Sequence, residues 1–161
     1  MADTILVRAP QAPDEPAWRR LWAAYLDFYA MTVPPEATEH TWSRILDPAG
    51  PMFGRVAVLE SAMVGFTICV VHEGTWSVNP TCYLEDLFVD PAARRAGLGR
   101  ALLDDLVALG GQNGWSSLYW HTRADNTPAR KLYDRYIQAD DFVRYRLAFP
   151  PKVSNELGSS N

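Results

Sequence analysis

A short segment rich in glycine and arginine, Arg94–Arg100 with the sequence RRAGLGR, joins an apolar stretch to an amphipathic one. Gly97 and Gly99 let the backbone turn tightly and let a ligand come close to the main-chain amides. Because the segment opens a predicted helix, free N–H groups and the positive end of the helix dipole would lie beside its arginines. The spacing therefore predicts a site for phosphate groups.

Two common phosphate-binding loops do not fit this segment. A dinucleotide-binding loop needs a third glycine, but Leu102 stands at that position. A P-loop needs Gly-Lys followed by Ser or Thr, and the sequence contains no such run. Taken alone, two glycines fit an ordinary strand-to-helix turn with solvated arginines equally well, so the neighbouring sequence has to decide.

Two adjacent carboxylates, Glu85 and Asp86, interrupt an apolar run that otherwise has the pattern of a strand. Charged groups are costly to bury unless they are paired, so the pair forms a salt bridge, for example with Arg94 or Arg123, or it is functional. Strand alternation predicts that the two side chains point to opposite faces. One could take a proton from an ammonium group, whose pKa in water is about 10.4, and the other could bind a second positive charge.

Hydrophobic periodicity predicts the elements that position these residues. The predicted order is β-α-α-β-β-β-α-β-α-β, and the strand–helix–strand unit 82–121 should be a right-handed crossover with parallel strands. The fold class is therefore α/β, with a mixed sheet and helices on both of its faces. Predicted strands cover 4–8, 55–59, 64–71, 82–89, 115–121 and 142–149, and helices begin within 10–16 and near 36, 98 and 126.

The composition limits the class of protein. The chain has 161 residues and a net charge of −4, which suits one domain, predicted at 1–149 with a polar, mobile tail at 150–161. An acidic chain without long apolar runs is not expected to bind nucleic acid or to enter a membrane. Cys69 and Cys82 lie in apolar runs and should be reduced core thiols. No metal-ligand spacing and no signal peptide are present, which predicts a metal-free protein of the cytoplasm.

Two motifs in the expected order resemble the GNAT superfamily of N-acetyltransferases. The first is Arg94–Gly99, which matches Arg/Gln-x-x-Gly-x-Gly/Ala after a strand, and the second is Asn126–Tyr133, which matches Asn-x-x-Ala-x-x-Leu-Tyr. The resemblance covers about 82–147, and the segment Tyr83–Val89 is similar to the branch that contains yeast-type histone/polyamine and spermidine/spermine acetyltransferases. It implies a GNAT-like acyl-CoA N-acyltransferase fold with acetyl-CoA as co-substrate.

The resemblance also implies roles for individual residues. Tyr133 would protonate the leaving thiolate, Glu85 is the first choice for the base, and Asp86 is the second carboxylate. The same residue types also fit structural roles: a core tyrosine, a salt bridge, a helix cap at Asn126 and a solvated Arg130. The residues implied to bind the cofactor are Leu87, Phe88, Val89, Arg94, Arg95, Ala96, Gly97, Leu98, Gly99, Arg100, Asn126 and Arg130.

The expected reaction is direct attack of a primary amine on acetyl-CoA in a ternary complex, with a small polyamine or an amino-acid-like molecule as acceptor. Two alternatives stay open. The chain could acetylate lysine side chains or N-termini of proteins, using the loop 30–40 and the hairpin around 73–80, or it could be a non-catalytic CoA-binding regulatory module. Members of the superfamily are often dimers, which makes a homodimer possible. The three histidines, His40, His72 and His121, have no partner spacing and are interpreted as structural or surface residues.

Overall fold

The computed structural model describes residues 4–94 and 97–152. Its sheet has five strands in the order β1-β2-β3-β4-β5, and four α-helices connect and cover them. Among the described residues, no helix combines the length and the apolar character needed to cross a bilayer. The elements are β1 Ile5–Arg8, α1 Glu15–Phe28, α2 Pro35–Leu46, β2 Met52–Leu59, β3 Ala62–His72, β4 Thr81–Val89, α3 Leu98–Asn113, β5 Ser117–Trp120 and α4 Thr127–Tyr133.

The sheet is mixed, as the sequence predicted. Strands β1 to β4 pair with their neighbours antiparallel, whereas β4 and β5 pair parallel. A parallel pair needs a long crossover, and α3 supplies it between β4 and β5. The predicted parallel unit is therefore confirmed, and it places the glycine-rich segment at the carboxyl end of β4.

Each face of the sheet has its own core. On one face, helices α1 and α2 bury Trp18, Leu21 and Trp42 against Phe66 and Phe88. On the other face, the α3 residues Leu98, Leu102, Leu103 and Leu106 are buried against β2 to β5. The predicted arrangement of helices on both faces is therefore confirmed. The helices hold the carboxyl ends of β4 and β5 between α1 and α4, where the candidate site lies.

Helix α3 runs further than the sequence predicted. Two consecutive glycines, Gly110-Gly111, predict a helix end, but this prediction is wrong, because the helix continues through both to Asn113. It ends at Gly114, whose φ of +66° is the left-handed conformation that commonly closes a helix. A glycine inside a helix costs about 1 kcal/mol relative to alanine, which the packing of the preceding leucines can offset.

The predicted last strand, 142–149, is also wrong for this chain. No strand is formed there, and the apolar side chains of the segment are 73% to 92% exposed. The sequence pattern is that of a strand, but a strand needs a hydrogen-bonded neighbour, and the segment has none among the described residues.

An ion pair between Arg55 and Asp105 joins the sheet to the crossover helix α3. Arg55 of β2 donates two hydrogen bonds, of 2.7 and 2.8 Å, to the carboxylate of Asp105 in α3, and both side chains are less than one-fifth exposed. Replacing Asp105 with alanine should lower the free energy of unfolding by about 2 kcal/mol, because it leaves a mostly buried guanidinium unpaired. Chemical denaturation measures the change. Glu15→Ala breaks an exposed i,i+4 pair with Arg19 and should cost only about 0.5 kcal/mol; equal losses would contradict this prediction.

Candidate active site

Strands β4 and β5 separate at their carboxyl ends. They pair only over Thr81–Leu84 and Ser117–Trp120, and β4 then continues through Glu85–Val89 without β5 beside it. On its other side this part of β4 stays paired with β3. About half of the peptide groups of Glu85–Val89 therefore face an open gap. A backbone that binds an extended ligand needs such unpaired peptide groups. The resemblance implied that three of these residues, Leu87, Phe88 and Val89, bind the cofactor.

The glycine-rich segment presents free amides at the end of this gap. Gly97 has a φ of +79°, and open space surrounds the position that a Cβ would take. The first hydrogen bond of α3 runs from the Ala101 amide to the Gly97 carbonyl, so the amides of Leu98, Gly99 and Arg100 have no partner within the helix. The Leu98 side chain is buried in the core, which leaves only its amide for a ligand. These three free amides, called the cradle below, fit a diphosphate.

A second glycine in the segment is needed for packing. A Cβ on Gly99 would lie 3.0 Å from Cδ2 of Leu132, so glycine is what lets α3 approach α4 closely. Two arginines flank the cradle with exposed side chains: Arg94 lies over the Phe28 ring, 5.5 Å from its centre, and Arg100 reaches Asp104 at 3.5 Å. Arg95 and Ala96, which the sequence also assigned to the cofactor, lie outside the described residues.

Adding a methyl group at Gly97 should damage both the fold and the cradle. The left-handed conformation costs a non-glycine residue roughly 1–2 kcal/mol, so Gly97→Ala should lower the free energy of unfolding by about that amount. The affinity for CoA should fall with it, about tenfold, because the strained turn would displace the amides. Calorimetric titration with CoA and chemical denaturation measure the two effects.

A matched glycine lies near the other end of the same helix. Gly111 has helical geometry and nothing within 4 Å of an added Cβ. Gly111→Ala should therefore raise stability by up to about 1 kcal/mol and leave CoA binding unchanged. If Gly97→Ala bound CoA as tightly as Gly111→Ala, the amides of this turn would not form the diphosphate site.

A β-bulge in β4 turns the side chains of Glu85 and Asp86 away from the core under α3. Ile68 of β3 faces Asp86 and Cys69 faces Leu84, so Glu85 is the extra residue on β4. As a result Leu84 and Leu87, three residues apart, both pack in the core under α3. The simple alternation that placed Glu85 and Asp86 on opposite faces is wrong here, because the bulge adds one residue between the two leucines and keeps both carboxylates out of that core.

The two carboxylates differ in environment. Glu85 is exposed, whereas Asp86 is mostly buried and accepts a short hydrogen bond from the Tyr25 hydroxyl of α1. Burial raises the pKa of Asp86 to about 6, against the lowering effect of the Tyr25 hydrogen bond, and the charge of Glu85 raises it further. Burial also raises the pKa of Tyr25, which therefore stays protonated and donates. Asp86 can thus exchange a proton close to neutral pH.

Tyr133 closes the gap from the side of α4. Its ring packs edge-on against Trp120 at the end of β5, with 5.3 Å between ring centres. Burial, with a smaller contribution from Tyr29, raises the pKa of Tyr133 to about 12, so the phenol keeps its proton at neutral pH. Its hydroxyl makes no hydrogen bond to another described residue, and it is therefore available to a ligand.

The remaining predicted residues, Asn126 and Arg130, lie at the start of α4. Asn126 occupies the N-cap position, but its side chain does not cap the helix and donates to Thr122 Oγ1 instead, at 3.1 Å. Arg130 donates to the Ala124 carbonyl at 2.8 Å. The expected cap is thus absent. Both side chains hold the loop between β5 and α4, and either would have to change partners to reach a ligand.

The fold places two further groups of aromatic residues around the site. Tyr25 and Tyr29 of α1 contact each other, and the Tyr25 hydroxyl also donates to Asp86. The stacked rings of Tyr83 and Tyr119 form an open cluster with His72 and His121. Only the parallel register of β4 and β5, which the sequence does not give, brings this second group together.

Comparison with known proteins identifies the class. Residues 17–137 match the family model described as Acetyltransferase (GNAT) family, and the chain belongs to this family. It is an acetyl-CoA-dependent N-acetyltransferase. Among the described residues, no group of three or more His, Cys, Asp and Glu side chains is placed to hold a metal ion.

Several known proteins are similar over nearly the whole chain. The D-amino-acid N-acetyltransferase HPA3 of Saccharomyces cerevisiae is 32% identical over 146 residues, which cover 89% of this chain and 91% of that protein. The uncharacterized N-acetyltransferase YhfO of Bacillus subtilis is 30% identical, covering 91% and 99%. The aminoglycoside N-acetyltransferase AAC(6')-Iy, solved with CoA, has the same fold at a TM-score of 0.76 and 19% identity, covering 91% and 97%.

Proposed function

We propose that this enzyme acetylates the primary amine of a small, amino-acid-like acceptor by direct attack in a ternary complex. The observation that carries the proposal is the gap between β4 and β5, which has a carboxylate of near-neutral pKa on one side and a protonated phenol on the other. A line of contacts joins the two groups: Asp86 to Tyr25, Tyr25 to Tyr29, and Tyr29 within electrostatic reach of Tyr133.

The described residues fit acetyl-CoA, which supplies the acetyl thioester when bound. The amides at Gly97, Leu98, Gly99 and Arg100 would hold the diphosphate, with Arg94 and Arg100 supplying positive charge. The open backbone of Leu87, Phe88 and Val89 would pair with the pantetheine arm, and one of its amides would donate to the acetyl oxygen as negative charge develops there. Arg95 and Ala96 complete the proposed loop, and Asn126 and Arg130 border it from α4.

The proton movements balance across the site. The acceptor enters as an ammonium ion and loses one proton to a carboxylate, which frees the nitrogen lone pair. The N–C bond then forms and the C–S bond breaks, and the nitrogen releases its second proton to water as the amide forms. Tyr133 donates its proton to the departing thiolate and regains one from solvent. A phenol with a pKa of about 12 is protonated at neutral pH, and it lies on the α4 side of the gap.

We assign different tasks to the two carboxylates. Asp86, with its pKa near 6, is the base, because it is ionised at neutral pH and yet basic enough to take a proton. Glu85 is exposed at the bulge, and we assign it to attracting and holding the acceptor ammonium. The sequence favoured Glu85 as the base; the buried position of Asp86 and its bond to Tyr25 favour the reverse.

The amino-acid-like acceptor is supported by the similarity to a D-amino-acid N-acetyltransferase over most of both chains. A small polyamine is the next candidate, because two carboxylates could hold two amino groups. We further propose that the enzyme works as a homodimer in the cytoplasm, without nucleic acid or membrane as a partner. The two buried free thiols, Cys69 and Cys82, are compatible with a reducing compartment.

A thiol-release assay with acetyl-CoA tests the acceptor class. The panel should contain D- and L-amino acids, spermidine, an aminoglycoside and a lysine-containing peptide at equal concentrations. We expect free amino acids to give at least tenfold higher kcat/KM than the other acceptors. A preference for spermidine or for the peptide would overturn the proposed acceptor while leaving the acetyltransferase assignment intact.

A further inference from the structure

Four ring side chains form an open cluster where the gap between β4 and β5 begins, called the aromatic platform below. The rings of Tyr83 and Tyr119 stack with 5.0 Å between their centres, and His121 meets both of them edge-on. His72 packs edge-on against Tyr119 and shares a hydrogen bond of 2.8 Å with its hydroxyl. None of these rings takes part in the proton movements described above, so the platform is free for another task.

The platform lies on the same face of the sheet as Asp86. Leu84 and Trp120, the last paired residues of β4 and β5, point into the core under α3. Side chains alternate along a strand, so Tyr83 and Tyr119, just before them, point to the other face. Asp86 is on that other face too, because it is bonded to a side chain of α1. An acceptor amine at Asp86 therefore has the platform beside it.

The bulge at Glu85 brings the platform close to Asp86. In the register with β3, Tyr83 faces Val70. Asp86 faces Ile68, which is only two residues away from Val70. Two residues of a strand span about 7 Å, so the amine site and the first ring of the platform are separated by about that distance. In an aromatic amino acid two carbon atoms join the amine to the ring, and such a molecule fits this spacing.

The rings of the platform are accessible to a ligand. Tyr119 is 37% exposed, and His121 is also exposed. The Tyr119 hydroxyl is already bonded to His72, and the Tyr83 hydroxyl lies 3.4 Å from Nδ1 of His121. Burial raises the pKa of Tyr83, and the charge of Glu85 raises it further, so this ring lies within electrostatic reach of that carboxylate. The platform therefore offers ring surface beside the amine site.

We propose that the aromatic platform is the subsite for the acceptor side chain, and that the preferred acceptors are amino acids with an aromatic side chain. This inference rests on the acceptor class proposed above. The acceptor ammonium binds at the two carboxylates, and its ring packs against Tyr83, Tyr119 and His121. Two aromatic rings attract each other beyond the burial of their surface, by up to about tenfold in affinity.

A neutral ring suits this subsite better than a second amino group. Both carboxylates at the gap, Glu85 and Asp86, are assigned to the reacting amine, so a second ammonium would compete for them. An aromatic ring needs no counter-charge and gains from each ring that it contacts. Because tyrosine faces also attract cations, lysine is the acceptor that the test must compare with phenylalanine.

Steady-state kinetics with free amino acids test the proposal. The panel contains phenylalanine, tyrosine, leucine, alanine and lysine, each in the configuration that the enzyme accepts. We expect kcat/KM for phenylalanine to exceed that for leucine by about tenfold, because leucine has similar apolar bulk without a ring. Equal or higher values for leucine or lysine would overturn the aromatic subsite and leave the amino-acid acceptor class intact. Activity with spermidine or a lysine-containing peptide, but with no free amino acid, would overturn the acceptor class itself.

Variants that remove a ring locate the subsite. Tyr119→Leu removes one ring and keeps apolar bulk, so the ratio of kcat/KM for phenylalanine over leucine should fall about fivefold or more. Tyr83→Leu, on the neighbouring strand, should lower the same ratio. Tyr119→Phe is the matched control, because it restores the ring and loses only the hydroxyl bonded to His72; it should restore the preference. A preference that survives both leucine variants would overturn the proposal.

Binding of the product gives a measurement that needs no turnover. In calorimetric titrations with CoA present, N-acetylphenylalanine should bind the unmodified protein about tenfold more tightly than N-acetylleucine. Tyr119→Leu should bind the two products with similar affinity. Equal binding of both products by the unmodified protein would contradict the subsite, whatever the variants do. Circular dichroism and CoA binding verify that each variant is folded.

Discussion

Replacing Tyr133 with phenylalanine should lower kcat about 100- to 1,000-fold and change the affinity for CoA by less than about threefold. The proposed role of Tyr133 is to give its proton to the leaving thiolate, and phenylalanine removes only the hydroxyl. The packing of the ring against Trp120 is kept. Because the hydroxyl has no hydrogen-bonding partner among the described residues, its removal leaves no buried polar group unsatisfied. Steady-state kinetics and calorimetric titration with CoA measure the two quantities.

Tyr136→Phe is the matched control, since it removes a hydroxyl from the same end of the chain. The Tyr136 hydroxyl bonds Asp104 at 2.7 Å and the Arg100 carbonyl at 3.2 Å, on the outside of α3. Its loss should cost stability but change kcat less than about threefold. If Tyr133→Phe kept full activity at every pH, or if both variants lost kcat equally, Tyr133 would not be the acid.

The second large effect concerns Asp86 and the pH dependence of the rate. A base must be ionised, and burial raises the pKa of Asp86 to about 6, so kcat/KM for the acceptor should rise with pH through about 6 and level off above it. Asp86→Asn should lower kcat about 100-fold near neutral pH and remove this acidic limb. Asparagine keeps nearly the same volume, so the packing around Tyr25 changes little. Rate measurements from pH 5 to 9 test the prediction.

Two further variants distinguish the role of Asp86 from the roles of Glu85 and Tyr25. Glu85→Gln should raise KM for the acceptor and keep the acidic limb, because the base is still present. Tyr25→Phe removes the hydrogen bond that favours the ionised carboxylate, so the pKa of Asp86 should rise and the limb should move to higher pH. If the acidic limb of the pH profile disappeared in Glu85→Gln and survived in Asp86→Asn, Glu85 would be the base and Asp86 would bind the acceptor.

The sequence alone predicted the candidate site residues because the relevant signals are local. The spacing of Gly97 and Gly99 after an apolar strand, and of Asn126 and Tyr133 in the last helix, depends on residues that are close in the chain. Backbone amides at a helix start need no distant partner to become an anion site. The strand–helix–strand order then fixed the parallel pair through the handedness of crossovers.

Prediction from the sequence fails where a single residue changes the pairing register of two strands. Alternation predicted opposite faces for Glu85 and Asp86, but a single inserted residue opposite Ile68 and Cys69 overrides it. Strand pairing, not the local pattern, decides whether such a bulge forms. The same holds for α3, where two glycines look like a stop and the buried leucine face carries the helix past them to Gly114.

By itself, the sequence predicted the order of the elements through α4, the glycine cradle and the candidate carboxylates and tyrosine, because each depends on short-range spacing. Only the tertiary structure decided that Asp86 is buried against Tyr25, that β4 and β5 part after Leu84 and Trp120, and that residues 142–149 pair with no other described strand. Burial, strand separation and strand pairing all depend on contacts between residues that are far apart in sequence, and a pattern along one chain does not contain that information.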